Sequence, residues 1–191
     1  MPGNLNKRLF VAINPSETAR EELVALCGGL PEARWTPPKQ LHLTLWFIGE
    51  VDEVVFRSIR ESLCVLERNG PSAFSLQFRT LGFFPPRGEP RVLWAGVAEN
   101  PALMHLQRQV TSCLQGLGIP LEKRKFTPHI TLARLGGEAA SGLKRYLDAQ
   151  TFFSGSPFGV DRFTLYSSIL DKSGATHITE AEYILPAFEK K

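Results

Sequence analysis

One feature constrains this 191-residue chain more than any other: a repeat. His42-Leu43-Thr44-Leu45 returns as His129-Ile130-Thr131-Leu132, 87 residues later. Each copy is followed by a glycine seven residues after its histidine, Gly49 and Gly136, again 87 apart. Asn14-Pro15 returns as Asn100-Pro101 at a spacing of 86. Three landmarks within one residue of the same offset, without low-complexity bias, describe one supersecondary unit used twice.

Hydrophobic periodicity fills in that unit. Lys7 to Ile13 reads as a strand. Asn14-Pro15-Ser16-Glu17 then resembles a helix start, with Asn as the cap, Pro at the first position and Glu at the third. Leu23, Leu26, Cys27 and Leu30 continue at helical spacing. A strand over about 41–47, an amphipathic helix carrying Val51 to Leu66, and a strand from Phe74 to Phe83 complete the first copy. The second copy runs through a strand at 91–98, a helix opened by Asn100-Pro101, a strand at 129–132, a helix at 138–149 and a strand at 158–170. A last strand, about 176–185, has no counterpart in the first half. The expected fold class is α+β, a single bilobal domain over 1–191. Its two pseudo-symmetric lobes are drawn roughly from 7–84 and 91–170, each an antiparallel sheet with flanking helices, around a central cleft.

Composition excludes several classes. The chain is 43% hydrophobic and 21% charged, which suits a soluble globular core. Lys and Arg number 22 against 19 Asp and Glu, a net charge of +3. A nucleic-acid coat would carry long basic runs; here the densest cluster is Lys123-Arg124-Lys125. No apolar stretch approaches the roughly 20 residues of a membrane span, so no membrane partner is expected. Cys27, Cys64 and Cys113 show no CxxC spacing, and each falls on the apolar stripe of a predicted helix. They read as small buried hydrophobes in a reduced, cytoplasmic protein.

The repeated motif carries the chemistry. Side chains alternate along a strand, so His42 and Thr44 share one face while Leu43 and Leu45 anchor the other. The same holds for His129 and Thr131. A twofold relation brings two imidazoles and two hydroxyls to one cleft. A neutral imidazole there takes a proton from an attacking water, and a protonated one gives a proton to the leaving oxygen. The threonine hydroxyls donate to non-bridging phosphate oxygens. The motifs contain no Cys, Asp or Glu to complete a metal site, and HExxH, GxxxxGK[ST], GxGxxG and GxSxG are absent. Neither a metal nor a cofactor is expected. Trp46 shares the parity of His42 and Thr44 and could either stack a terminal base or pack in the core. Arg124 precedes the second motif as a candidate phosphate contact or a solvated charge. Arg134 has the wrong parity for the cleft and reads as structural. His177-Ile178-Thr179 is a third match, but Glu180 follows it and no partner lies at the 87-residue offset. His177 reads as a hairpin histidine near the cleft mouth, and His105 as a surface residue.

With these residues the chain resembles the two-histidine (2H) phosphoesterase superfamily. It is most similar to the RNA 2′,3′-cyclic phosphodiesterases, also called 2′-5′ RNA ligases. The resemblance spans Arg8-Leu9-Phe10-Val11-Ala12-Ile13, Phe47-Ile48-Gly49, Arg91-Val92-Leu93-Trp94-Ala95-Gly96-Val97, Phe126-Thr127-Pro128-His129-Ile130-Thr131-Leu132-Ala133-Arg134 and Phe163-Thr164-Leu165-Tyr166-Ser167-Ser168. It departs in the last hairpin, where a tyrosine is common and Gly174-Ala175-Thr176-His177 stands here. The resemblance implies hydrolysis of a terminal 2′,3′-cyclic phosphate to a 2′-phosphomonoester. It also implies His42 as proton donor, His129 as proton acceptor, and reverse 2′-5′ joining of RNA ends without ATP. The partner is then RNA with a 2′,3′-cyclic phosphate end, or a small cyclic phosphate such as a cyclic nucleotide or ADP-ribose cyclic phosphate. An inactive RNA-end binding module is the alternative of another class.

Overall fold

The computed structural model describes residues 6–120, 125–171 and 174–187. The repeat unit is visible as alternating strands and helices. β1 (Lys7–Ile13), α1 (Glu17–Ala25), a two-residue β2 (Arg34–Trp35) and a 3₁₀ turn (Pro38–Gln40) lead into β3 (Leu43–Val51). α2 (Glu53–Cys64), α3 (Leu66–Asn69), β4 (Phe74–Leu76) and β5 (Phe78–Phe84) follow. The second copy contains β6 (Val92–Val97), α4 (Pro101–Gly116), β7 (His129–Arg134), α5 (Gly137–Ala149), β8 (Phe158–Val160) and β9 (Arg162–Asp171). β10 (Gly174–Ile184) closes the chain as a hairpin with β9. Among the described residues no helix is long and apolar enough to cross a membrane.

The fold is α+β, with an antiparallel main sheet in the order β10-β9-β1-β3-β7-β6-β5 and β2 added to β7. The third strand of each copy is exchanged: β5 pairs with β6, and β9 pairs with β1. The division at 84–91 therefore marks the chain's repeat rather than the division of the sheet. The two halves of the sheet meet at one register pair, Leu43↔Ile130. These two residues are themselves 87 apart, so the pseudo-twofold axis passes between the two motifs. What reads as one strand over 74–83 is two, because β4 leaves the main sheet to pair with β8.

Helices cover the face opposite the cleft. Leu103, Leu106, Val110 and Leu114 of α4 are fully buried with Leu43 and Leu45 of β3 and Ile59 and Leu63 of α2. Each such side chain contributes about 1.5–3 kcal/mol by leaving water. Asn100 caps α4, its Oδ1 accepting from Leu103 N at 2.9 Å. Its repeat counterpart Asn14 does not cap α1. Ser16 does, accepting from Ala19 N at 3.2 Å, while Asn14 Nδ2 donates to the Tyr166 hydroxyl at 2.8 Å. Cys64 also departs from expectation: it is exposed, and Cys27 and Cys113 are half-buried. The buried stripe of α2 runs through Phe56, Ile59 and Leu63, and Cys64 lies one residue, about 100°, off that stripe.

Candidate active site

The junction pair builds the site. Leu43 and Ile130 point into the core, so their chain neighbours point the other way. Antiparallel pairing sets His42 beside Thr131 and Thr44 beside His129, with cross-strand Cβ atoms about 5 Å apart. All four line one cavity of about 400 Å³, together with His177 and Arg134. No side-chain hydrogen bond inside the protein occupies either threonine hydroxyl among the described residues, which leaves both for a ligand.

Each histidine is held in the same way. His42 Nδ1 lies 2.7 Å from Gln40 O, and His129 Nδ1 lies 2.6 Å from Thr127 O. A carbonyl only accepts, so each Nδ1 carries the proton and donates, and each Nε2 is left for the cavity. That fixes the tautomer that proton transfer requires. The environments differ. Phe10, Tyr166 and His177 surround His42, with ring centroids at 4.9, 6.4 and 5.1 Å. Phe84 and Trp94 flank His129 at 5.0 and 6.1 Å. Burial pushes His42 down to about 4; the Gln40 carbonyl opposes the shift, and the His177 and His129 charges add to it. Burial also lowers His129, with the Thr127 carbonyl opposing. His42 thus feels two neighbouring imidazole charges as well as burial, whereas His129 is lowered by burial alone.

Two sequence expectations rested on regular strand alternation, and the structure corrects the premise. β3 slips register at Leu45, where Val11 faces Trp46 but Ala12 faces Thr44. β7 slips at Leu132, where Leu93 faces Ala133 but Trp94 faces Thr131. These bulges occupy equivalent positions of the repeat, and each turns the following residues over. Trp46 consequently packs in the core at 6% exposure while still lining the neighbouring groove, and Phe47 is 44% exposed. Arg134, expected to be structural, lines the cavity instead. Arg124 lies outside the described residues. His105 is exposed, as its sequence position implies.

His177 was placed at the cleft mouth by sequence and is part of the cavity wall. β10 carries it beside His42, and Gln40 Nε2 donates to Ala175 O at 2.6 Å, tying the hairpin to the turn before His42. Trp35 and the rest of β2, a two-residue strand with no periodicity to detect, also went unseen. Among the described residues, no group of three or more His, Cys, Asp or Glu side chains is arranged to hold a metal ion.

The 2′-5′ RNA ligase superfamily model matches residues 17–172. The RNA 2′,3′-cyclic phosphodiesterase of Thermotoga maritima is 35% identical over 171 residues, spanning 87% of this chain and 89% of that protein. The enzyme of the same description from Archaeoglobus fulgidus is 33% identical over 176 residues, spanning 87% and 94%. Among solved structures, a Thermus thermophilus protein aligns with a TM-score of 0.80 at 28% identity, over 94% of this chain and 98% of that one. E. coli LigT complexed with 3′-AMP aligns at 0.76 and 26% identity, over 94% and 98%. With the paired histidines, the exchanged duplicated sheet and these relatives in agreement, the chain belongs to the 2′-5′ RNA ligase superfamily of two-histidine phosphoesterases.

Proposed function

We propose that the protein hydrolyses the terminal 2′,3′-cyclic phosphate of RNA to a 2′-phosphomonoester, using His42 and His129 as its acid–base pair. The observation that carries this reading is the pair of repeat-related imidazoles, each held with Nε2 free, on one cavity with two uncommitted threonine hydroxyls. Water attacks phosphorus and gives its proton to His129 Nε2. The P–O3′ bond breaks, and His42 Nε2 protonates O3′. Thr44 and Thr131 donate to the non-bridging oxygens as negative charge builds. A 5′-hydroxyl in place of water leaves a 2′-5′ linkage by the same displacement, so joining needs no nucleotide cofactor.

The donor role of His42 is the order the family resemblance implies. Because burial holds free His42 near 4, the bound phosphodiester anion must raise it for that role. Both proton transfers are covered by imidazoles, so the reaction needs no metal. A cytoplasmic setting fits three cysteines that remain free thiols. The test is an oligonucleotide ending in 2′,3′-cyclic phosphate, incubated with the protein in EDTA, with the phosphate position of the product resolved. A 2′-phosphate is expected. A 3′-phosphate, or a chelated protein revived only by Mg²⁺, Mn²⁺ or Zn²⁺, overturns the reading.

A further inference from the structure

Beside the catalytic cavity lies a larger groove of about 1090 Å³. The two share Thr44, Thr131 and His129, so they form one depression with the second motif at the junction. The residues each keeps to itself differ in kind. On the cavity side, Gln40, Ala175 and His177 bound a small space through the hairpin. On the groove side the wall is mainly cationic and aromatic, with Arg8, Arg91, Phe47, Phe84 and Phe126, and it carries one carboxylate, Glu89. Arg8 lies over the Phe47 ring, 4.9 Å from its centroid. Neither Arg8 nor Arg91 forms a salt bridge among the described residues. Phe47 reaches this surface because of the bulge at Leu45, which spends a large apolar ring on solvent.

A cavity of about 400 Å³ holds a nucleotide-sized group, but the groove exceeds the 300–1,000 Å³ typical of a small-molecule pocket. Alternating guanidinium and aromatic groups suit a single strand, whose phosphates meet cations and whose unpaired bases stack on rings. A duplex hides those base faces. Resting on the cyclic-phosphate reading above, we propose that the groove holds the two or three nucleotides upstream of the reacting RNA end. Their bases lie against Phe47, Phe84 and Phe126, and their phosphates against Arg8 and Arg91. The enzyme is then an end-reader of single-stranded RNA, tolerant of base identity because every base has a π-face. Small cyclic nucleotides use only the cavity and are poorer substrates.

The test is a length series of one, two, three and five nucleotides. kcat/KM is measured on the 2′,3′-cyclic ends, and wild-type affinity on the 2′-phosphate ends. Both are expected to rise about tenfold or more from one nucleotide to three, then level off, as stacking of about one base per step implies. In the Arg8→Gln/Arg91→Gln double variant the three-to-one ratio should fall toward one. The slope of log affinity against log salt for the trimer should become shallower by about 1.4, at roughly 0.7 per phosphate contact. The ratio is internal to each variant, so partial misfolding does not imitate the result. Equal values for one and three nucleotides, or a ratio untouched in the double variant, overturn the groove. If binding grows with length but no cyclic end is hydrolysed, the groove stands and the hydrolytic reading falls.

Discussion

The two histidines of this site are products of one repeat, yet they sit in different surroundings. Their backbones are treated alike. Each opens an inward-facing motif at the Leu43↔Ile130 junction, each donates Nδ1–H to the carbonyl two residues before it, and each precedes a bulge at the same repeat position. Their neighbours are not alike. His42 is packed by Phe10, Tyr166 and His177, with the Tyr166 hydroxyl fixed by Asn14, and burial holds it near 4. His129 faces the open groove and is lowered by burial without the added charge of a second and third histidine. Duplication supplied two imidazoles held alike on one cavity, and divergence of the surrounding side chains gave them different electrostatic surroundings. Burial holds His42 near 4 in the free protein, so the donor role proposed for it depends on the bound phosphate raising its proton affinity.

Removing either member breaks that relation most severely. His42→Ala and His129→Ala should each lower kcat by roughly 10²–10⁴, the contribution of one acid or base, with the circular dichroism spectrum retained. Near-normal turnover in either variant would remove the pair from the mechanism. A smaller effect is expected from the threonines, which share the developing charge between them. Thr44→Ala or Thr131→Ala should cost about tenfold to a hundredfold in kcat with little change in KM, since the donors strengthen as the transition state forms. A rise in KM alone would make them ground-state binders.

The smallest effect sharpens the asymmetry. His177→Ala should lower kcat less than about tenfold, because the residue touches His42 edge-on and belongs to no second repeat motif. It removes both packing and a nearby positive charge from His42, so the acidic limb of the pH profile should move upward. A merely structural His177 would change stability and leave that limb in place.

Much of this was legible in the sequence, for a physical reason. β1 holds a continuous apolar run, the opening of β7 alternates, and the 87-residue spacing turns two weak His-x-Thr matches into one specific arrangement. What was hidden depends on register. A bulge adds one residue without changing composition, so Arg134 reads as structural although it lines the cavity. The parity of Trp46 likewise leaves base stacking and core packing both open although it is buried. Arg34 and Trp35 form a strand too short to show any period. The glycine repeat conceals a further difference. Gly49 adopts φ +90 within β3, whereas in the second copy it is Gly137, beside Gly136, that has positive φ. The exchange of β5 and β9 between the halves of the sheet is a choice of long-range partner, and local periodicity carries no record of it.

The pH dependence of kcat/KM on a cyclic-phosphate end reports the acid and the base of the free protein. The two limbs belong to the coupled pair whichever member donates. With His42 near 4 and His129 below its ordinary value of 6.5, the profile should be a bell on the acidic side of neutrality. Activity should fall below about pH 4, where both imidazoles are charged, and fall again as rising pH removes the proton from His129, before neutrality is reached. A rate that climbs through pH 7 to a maximum above 8, or that is flat from 4 to 8, would contradict a catalytic pair made of these two histidines.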